Sequence, residues 1–291
     1  MRLPLRSFGA SPTGSPIAGS TIAVTGAARG IGLAIAAELA ARGARVAIGD
    51  VDAAAAREAA DALPGQVGGY QLDVTDEASF QGFLDAVAAD LGPIDVLVNN
   101  AGVMWVGAFD AEPQTATERM IAVNLLGVIR GVRLAAPVMR RRGHGRIVTV
   151  ASVSSRIAAP GESTYAATKH GVLGYLTGVR EELRGSGVTL SAVMPSVVDT
   201  ELAAGTEPGA MKKLAPRDVA LAVVAAIETG RFHVWVPGRL GPLVAISGIL
   251  PQRVRDRALR LAVPDQVAAV AGSSQRAAYE RTLTDPGEQR S

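Results

Sequence analysis

Tyr165 and Lys169 stand four residues apart in a stretch with helical spacing, so they share one helix face. A free tyrosine has a pKa of about 10 and is a poor base near neutrality. A neighbouring ammonium favours the phenolate and brings such a tyrosine into a range useful for acid–base work. Ser152 precedes Tyr165 by 13 residues and follows an apolar strand-like run, where its hydroxyl could orient a carbonyl or an alcohol. Asn99, Asn100, Ala101 and Gly102 close an earlier apolar run, and Asn124 lies in the helical stretch after it. A tyrosine–lysine pair alone arises often by chance; these landmarks make it specific. The chemistry is proton transfer at an oxygen borne on carbon.

A second constellation binds rather than reacts. Residues 21–24 read as a strand that runs into Thr25, Gly26, Ala27, Ala28, Arg29, Gly30, Ile31 and Gly32 and then directly into a helix. Glycines let the backbone turn sharply and approach a pyrophosphate, and the helix N-terminus offers unpaired N–H groups and a positive dipole end. The spacing of Gly26, Gly30 and Gly32 differs from GxGxxG, but the strand–loop–helix context is what dinucleotide binding requires. Asp50 ends the next strand, 24 residues after Gly26. An acid there accepts hydrogen bonds from ribose hydroxyls and repels a 2′-phosphate, which favours NAD(H). Arg29 pulls the other way and keeps NADP(H) open.

The elements that must position these residues follow from periodicity. Strand-like runs at 21–24, 45–49, 69–72, 95–98, 146–150, 188–193 and 233–236 alternate with helical stretches at 31–41, 53–63, 77–91, 115–142, 163–183 and 216–228. The connections are mostly too long for hairpins, so the strands are parallel. The expected fold is α/β: a doubly wound (Rossmann) seven-stranded parallel sheet with helices on both faces. Residues 20–236 form this domain. Residues 1–19, rich in Pro, Ser and Gly, read as a flexible tail, and residues 237–291 as a helical C-terminal extension.

In these residues the chain resembles the short-chain dehydrogenase/reductase family, from about residue 20 to residue 236. The resemblance implies that Gly26, Arg29, Gly30, Ile31 and Gly32 hold the cofactor diphosphate. It implies that Asp50 selects NAD(H), that Asp73 and Val74 border the adenine, and that Asn99, Asn100, Ala101 and Gly102 stabilise the sheet and line the cofactor site. It further implies a tetrad. Tyr165 is the acid/base. Lys169 binds the nicotinamide ribose and lowers the tyrosine pKa. Ser152 positions the substrate oxygen, and Asn124 holds a water in a relay to Lys169. Pro195, Val198 and Thr200 match positions at the nicotinamide carboxamide. Ser196 departs from the family's usual Pro-Gly and changes the local pocket. The implied activity is hydride transfer between NAD(H) and a secondary alcohol or ketone, in a homodimer or homotetramer. An NADPH-dependent carbonyl reductase and a non-catalytic dinucleotide sensor are the alternatives.

The remaining features narrow the function. The 291 residues include 33 glycines and no cysteine, which excludes disulfides, thiol nucleophiles and cysteine–zinc sites and is compatible with a cytoplasmic protein. A formal charge of +2 gives no case for nucleic acid. His144, His170 and His233 are scattered without metal-ligand spacing, so no metal is expected. Arg140, Arg141, Arg142, His144 and Arg146 read as a solvated loop, and Met104 and Trp105 as core or pocket wall. Residues 200–215 read as a lid carrying Leu202, Ala203, Ala204, Met211 and Leu214, which suits a hydrophobic steroid-, retinoid- or fatty-acyl-like substrate. No run reaches the roughly 20 apolar residues of a membrane span. The apolar stretch 240–250, followed by Arg253, Arg255, Arg257 and Arg260, reads as a cover for the core and pocket; peripheral contact with an anionic membrane is the alternative.

Overall fold

A computed structural model describes residues 17–209 and 211–284. Seven strands, β1 (Thr21–Thr25), β2 (Arg45–Asp50), β3 (Val67–Gln71), β4 (Ile94–Asn99), β5 (Gly145–Val150), β6 (Val188–Pro195) and β7 (His233–Val236), form one sheet in the order β3-β2-β1-β4-β5-β6-β7. Every neighbouring pair is parallel. Strand order reverses between β1 and β4, which opens a crevice at their C-terminal ends.

Both faces are covered because alternate strand residues point to opposite sides. Ile22 and Val24 of β1 pack with α1 (Gly30–Ala40), α2 (Ala53–Asp61) and α7 (Pro216–Thr229). Ala23 packs on the other side, with α3 (Glu77–Leu91), α5 (Gly127–Arg142) and α6 (Ser163–Glu182). Local chemistry sets the ends of these helices. The Asp52 carboxylate accepts from the N–H of Ala54 and Ala55, and Asp76 accepts from Ser79 N–H. Gly143 and Gly230 end α5 and α7 in the left-handed conformation.

Three expectations change. The folded unit reaches back at least to Ile17, which is fully buried, while Gly19 N–H donates to Gly43 O; the rest of the expected tail, residues 1–16, lies outside the described residues. The long helix at 115–142 is three pieces: α4 (Gln114–Met120), a π-turn (Ile121–Leu126) and α5. Together they make the one stretch among the described residues, Gln114–Arg142, long and apolar enough to cross a membrane by length and composition. It packs against β4, β5 and α6.

The third change concerns the C-terminal region, which divides in two. α8 (Leu240–Ile249) and α9 (Gln252–Ala262) turn most of their side chains to solvent, and α9 buries none. α9 adds no cover to the core, and α8 touches it only at its start, where Leu240 is buried and Gly241 lies against Trp235. α10 (Gln266–Val270) and α11 (Ser274–Thr284) do provide cover, with Gln266, Arg276 and Leu283 buried.

Candidate active site

The glycine loop sits at the strand-order reversal. Gly26 and Gly30 have φ of +61° and +57°, a region that favours glycine. A Cβ on Gly32 would lie 2.6 Å from both Ala27 Cα and Asn100 Nδ2, so α1 can pack this close to the loop only without a side chain there. The α1 N-terminus differs from those of α2 and α3: Arg29 at its cap makes no side-chain hydrogen bond to it. The first N–H groups of α1, including that of Ile31, therefore face the crevice without a side-chain cap, as an anion site requires. A Cβ on Gly30 would meet nothing closer than Thr200 Cγ2 at 3.7 Å, so loop and β6 extension face each other across open space. These features fit the diphosphate of a dinucleotide.

The strand ends hold that cradle. Asn100 Nδ2 donates to Thr25 O and Gly26 O at 3.0 and 2.9 Å, and Thr25 Oγ1 accepts from the N–H of Asn100 and Ala101. Asp50 is buried at the end of β2 and accepts from Ala28 N–H at 3.1 Å and Asp52 N–H at 3.3 Å. It braces the loop as well as facing the crevice. Arg29 is exposed and lies 3.9 Å from Glu201, away from Asp50. Asp73 accepts from Thr75, and the neighbouring Val74 O accepts from Arg130 of α5. Pro195 ends β6 beside Val236, Val198 pairs with Leu214, and Thr200 Oγ1 reaches back to Val198 O at 3.5 Å. Ser196 is buried, and its hydroxyl finds no partner among the described residues.

Gly102 links the cradle to the reacting group. A Cβ there would lie 3.4 Å from Asn124 Oδ1 and 3.9 Å from Lys169 Nζ. Tyr165 and Lys169 lie on α6, both buried, with Nζ 5.5 Å from the tyrosine ring centroid. Lys169 Nζ donates to Val150 O at 3.2 Å. Ser152, buried at the end of β5, lies within hydrogen-bonding reach of the Tyr165 phenol. Its Oγ also accepts from Ser154 N–H at 3.0 Å. Asn124 is fully buried in the π-turn: Oδ1 accepts from Val103 N–H, and Nδ2 donates to Val103 O and Thr168 Oγ1. The Asn124 side chain thus pins the loop after β4.

Burial raises the Tyr165 phenol well above its ordinary value; Glu162 adds to this, the Ser152 hydrogen bond opposes it, and Tyr279 raises it further. Burial also pushes Lys169 down to about 8. The expected lowering of the phenol by Lys169 is not among these effects. Desolvation outweighs a charge that is itself disfavoured by the same burial and directed at a backbone carbonyl.

The closure comes from α11. Arg276 is 2% exposed; its guanidinium donates to Leu202 O, Met104 O and Glu280 Oε1. Met104 N–H donates to the Tyr279 hydroxyl and Val106 N–H to Glu280. Leu283 packs with Met104, Trp105, Val106, Met120 and Tyr165. Met104 and Trp105 are therefore core and site wall at once. Sequence reasoning missed Glu162, Thr168, Arg276, Tyr279 and Glu280, and placed Thr25 in the diphosphate loop without its link to Asn100 and Ala101. The one usable signal was the helical spacing of Arg276, Tyr279 and Glu280. Elsewhere Arg142 ion-pairs with Asp95 at 2.6 Å and Arg146 donates to Ile227 O, so part of the basic run is structural. Among the described residues no His, Asp and Glu side chains group as a metal site would.

Strand order and loop placement define the class: an α/β oxidoreductase of the Rossmann type. The sequence profile of short chain dehydrogenases matches residues 20–210. D-beta-hydroxybutyrate dehydrogenase of Cupriavidus necator is 38% identical over 187 residues, 63% of this chain and 72% of that protein. 3-Oxoacyl-(acyl-carrier-protein) reductase FabG of Escherichia coli is 35% identical over 188 residues, 63% of this chain and 75% of that protein. A short-chain dehydrogenase/reductase of Burkholderia phymatum, solved in complex with NAD, superposes with a TM-score of 0.73 at 27% identity, covering 86% of this chain and 97% of that one. The chain belongs to the short-chain dehydrogenase/reductase family and is an oxidoreductase acting on CH–OH or keto groups.

Proposed function

We propose that this enzyme uses NAD(H) to interconvert an apolar secondary alcohol and its ketone, with Tyr165 as the proton-transfer group. The observation that carries the reading is the convergence of Ser152, Tyr165 and Lys169, all buried, on one point beside the glycine loop. The bound dinucleotide supplies or takes up a hydride. Ser152 orients the substrate oxygen. The Tyr165 hydroxyl gives that oxygen a proton in reduction and takes it back in oxidation. Lys169 holds positive charge beside the phenol and the ribose, and Asn124 keeps the wall at Val103 in place. Water exclusion by α11 strengthens each of these interactions.

Buried Asp50 at the end of β2 supports NAD(H) over NADP(H). Met104, Trp105, Val106, Met120 and Leu283 around Tyr165 support a hydrophobic substrate, of steroid-, retinoid- or fatty-acyl-like character. Partly exposed Ile121, Leu126 and Val138 on the α4–α5 stretch support a homodimer or homotetramer built on that face. We place the enzyme in the cytoplasm. A panel of alcohols and ketones run with both cofactors tests the reading. Lower KM for NAD(H), turnover favouring apolar ketones, and relaxed cofactor preference in Asp50→Ala are expected. Turnover confined to small hydrophilic polyols, or a preference for NADP(H), refutes the corresponding part.

A further inference from the structure

Ten large hydrophobic side chains are exposed among the described residues, and five of them fall between positions 243 and 261. Leu243, Ile246 and Ile249 are 60%, 54% and 83% exposed. At about 100° per residue they share an arc of roughly 120° on α8. On α9, Val254 and Leu261, 52% and 83% exposed, line up with Ala258. Exposed apolar side chains gathered on two successive helices mark a contact site.

The charge around it says what it contacts. Arg253, Arg257 and Arg260 form the adjoining stripe of α9, all exposed. None has an ion-pair partner among the described residues. Across residues 237–263 there are five arginines against Asp256 alone. Beside this region a cleft of about 470 Å³ is lined by Lys212, Lys213 and Arg239 together with Asp199 and Asp218. A second copy is disfavoured, because a two-fold contact sets a patch against itself and would bring these arginines together. Exposed apolar side chains flanked by unpaired arginines match a lipid surface with anionic headgroups.

We propose that α8 and α9 form a docking surface for an anionic lipid bilayer, with Leu243, Ile246, Ile249, Val254 and Leu261 entering the interface and the arginines binding headgroups. The surface adjoins the closure of the site. A Cβ on Gly209 would lie 2.9 Å from Ala262 O, at the end of α9, and one on Gly205 2.9 Å from Ser273 Oγ, at the start of α11. If the apolar-substrate reading above holds, a docked enzyme has the 200–215 segment beside the bilayer from which such a substrate comes; the docking itself is independent of that reading.

The test is flotation of the full chain, without substrate or cofactor, with phosphatidylcholine vesicles that do or do not contain about a third phosphatidylglycerol. Binding to the anionic vesicles alone, weakening as salt rises, is expected. Arg253→Glu with Arg257→Glu should weaken partitioning by about tenfold or more. Ile246→Asp with Ile249→Asp should abolish it, and both variants should keep turnover of a soluble ketone. Absence of flotation, or equal flotation of the charge-reversed variant, overturns the proposal. So does a fall in molecular mass by light scattering in Ile246→Asp with Ile249→Asp, because the patch would then be an interface between copies.

Discussion

Two buried side chains on one face of α6 carry opposite electrostatic stresses. Tyr165 is held protonated by burial, and Lys169, down at about 8, is held at the edge of losing its proton. Tyr165→Phe should lower kcat by roughly two to four orders of magnitude with cofactor affinity intact, measured by steady-state kinetics and titration. Activity that survives removes the tyrosine from the mechanism. Lys169 makes a separate prediction. Its pKa is about 8 in the folded chain against 10.5 for the free side chain. Between those values the unfolded chain binds the extra proton, so the contribution of Lys169 to stability rises with pH across that window. Below about pH 8 the full burial cost remains. Lys169→Met should therefore melt higher than wild type at pH 7, lose turnover, and lose part of its thermal advantage by pH 10.

At the level of elements, the sheet supplies the floor of the site and α11 its roof. Arg276, Tyr279 and Glu280 satisfy backbone groups of Met104, Val106 and Leu202 that have no strand partner, so α11 serves the wall of the site as a neighbouring strand would. The roof also adds to the burial around the phenol, through Leu283 in the cluster that holds Tyr165. Tyr279→Ala should admit water, lower the Tyr165 pKa and shift the alkaline limb of alcohol oxidation to lower pH; a profile that does not move assigns the burial to other elements. The alternation of strands and helices was legible in the sequence, because β-branched runs and glycine or proline stops repeat through residues 21–236. The π-turn that holds Asn124 was not. Its backbone differs from an α-helix by one register step, and no residue type marks that step.

The whole molecule joins a nucleotide-binding sheet to a C-terminal region beyond the 20–210 segment that the family profile matches. Most of the exposed large apolar residues lie in two separate places, the α4–α5 stretch and the α8–α9 pair, with Phe109 and Leu221 elsewhere, and these two places suit different partners. The first carries Ile121, Leu126 and Val138 at 39–46% exposure. Leu126→Glu should shift the protein towards monomers in light scattering; an unchanged mass excludes that face as the subunit contact. The second is flanked by arginine on one side and suits lipid rather than protein.

The sequence by itself determined the strand–helix alternation, the phosphate loop and the spacing of Ser152, Tyr165 and Lys169. Each depends on local periodicity or on the backbone freedom of particular glycines, which neighbouring residues reveal. It also carried the choice of cofactor as far as Asp50, whose second duty, bracing Ala28, required the loop to be folded back on β2. Only the tertiary structure decided the electrostatic state of Tyr165 and the role of the C-terminal region. A pKa depends on the water and the charges around a group, and here the charges include Glu162, three residues away, and Tyr279, more than a hundred residues away. The arginines of α9 and Arg276 of α11 look alike in sequence. One set faces solvent and the other is buried in the wall of the site, because burial is settled by what packs around a helix and not by the helix alone.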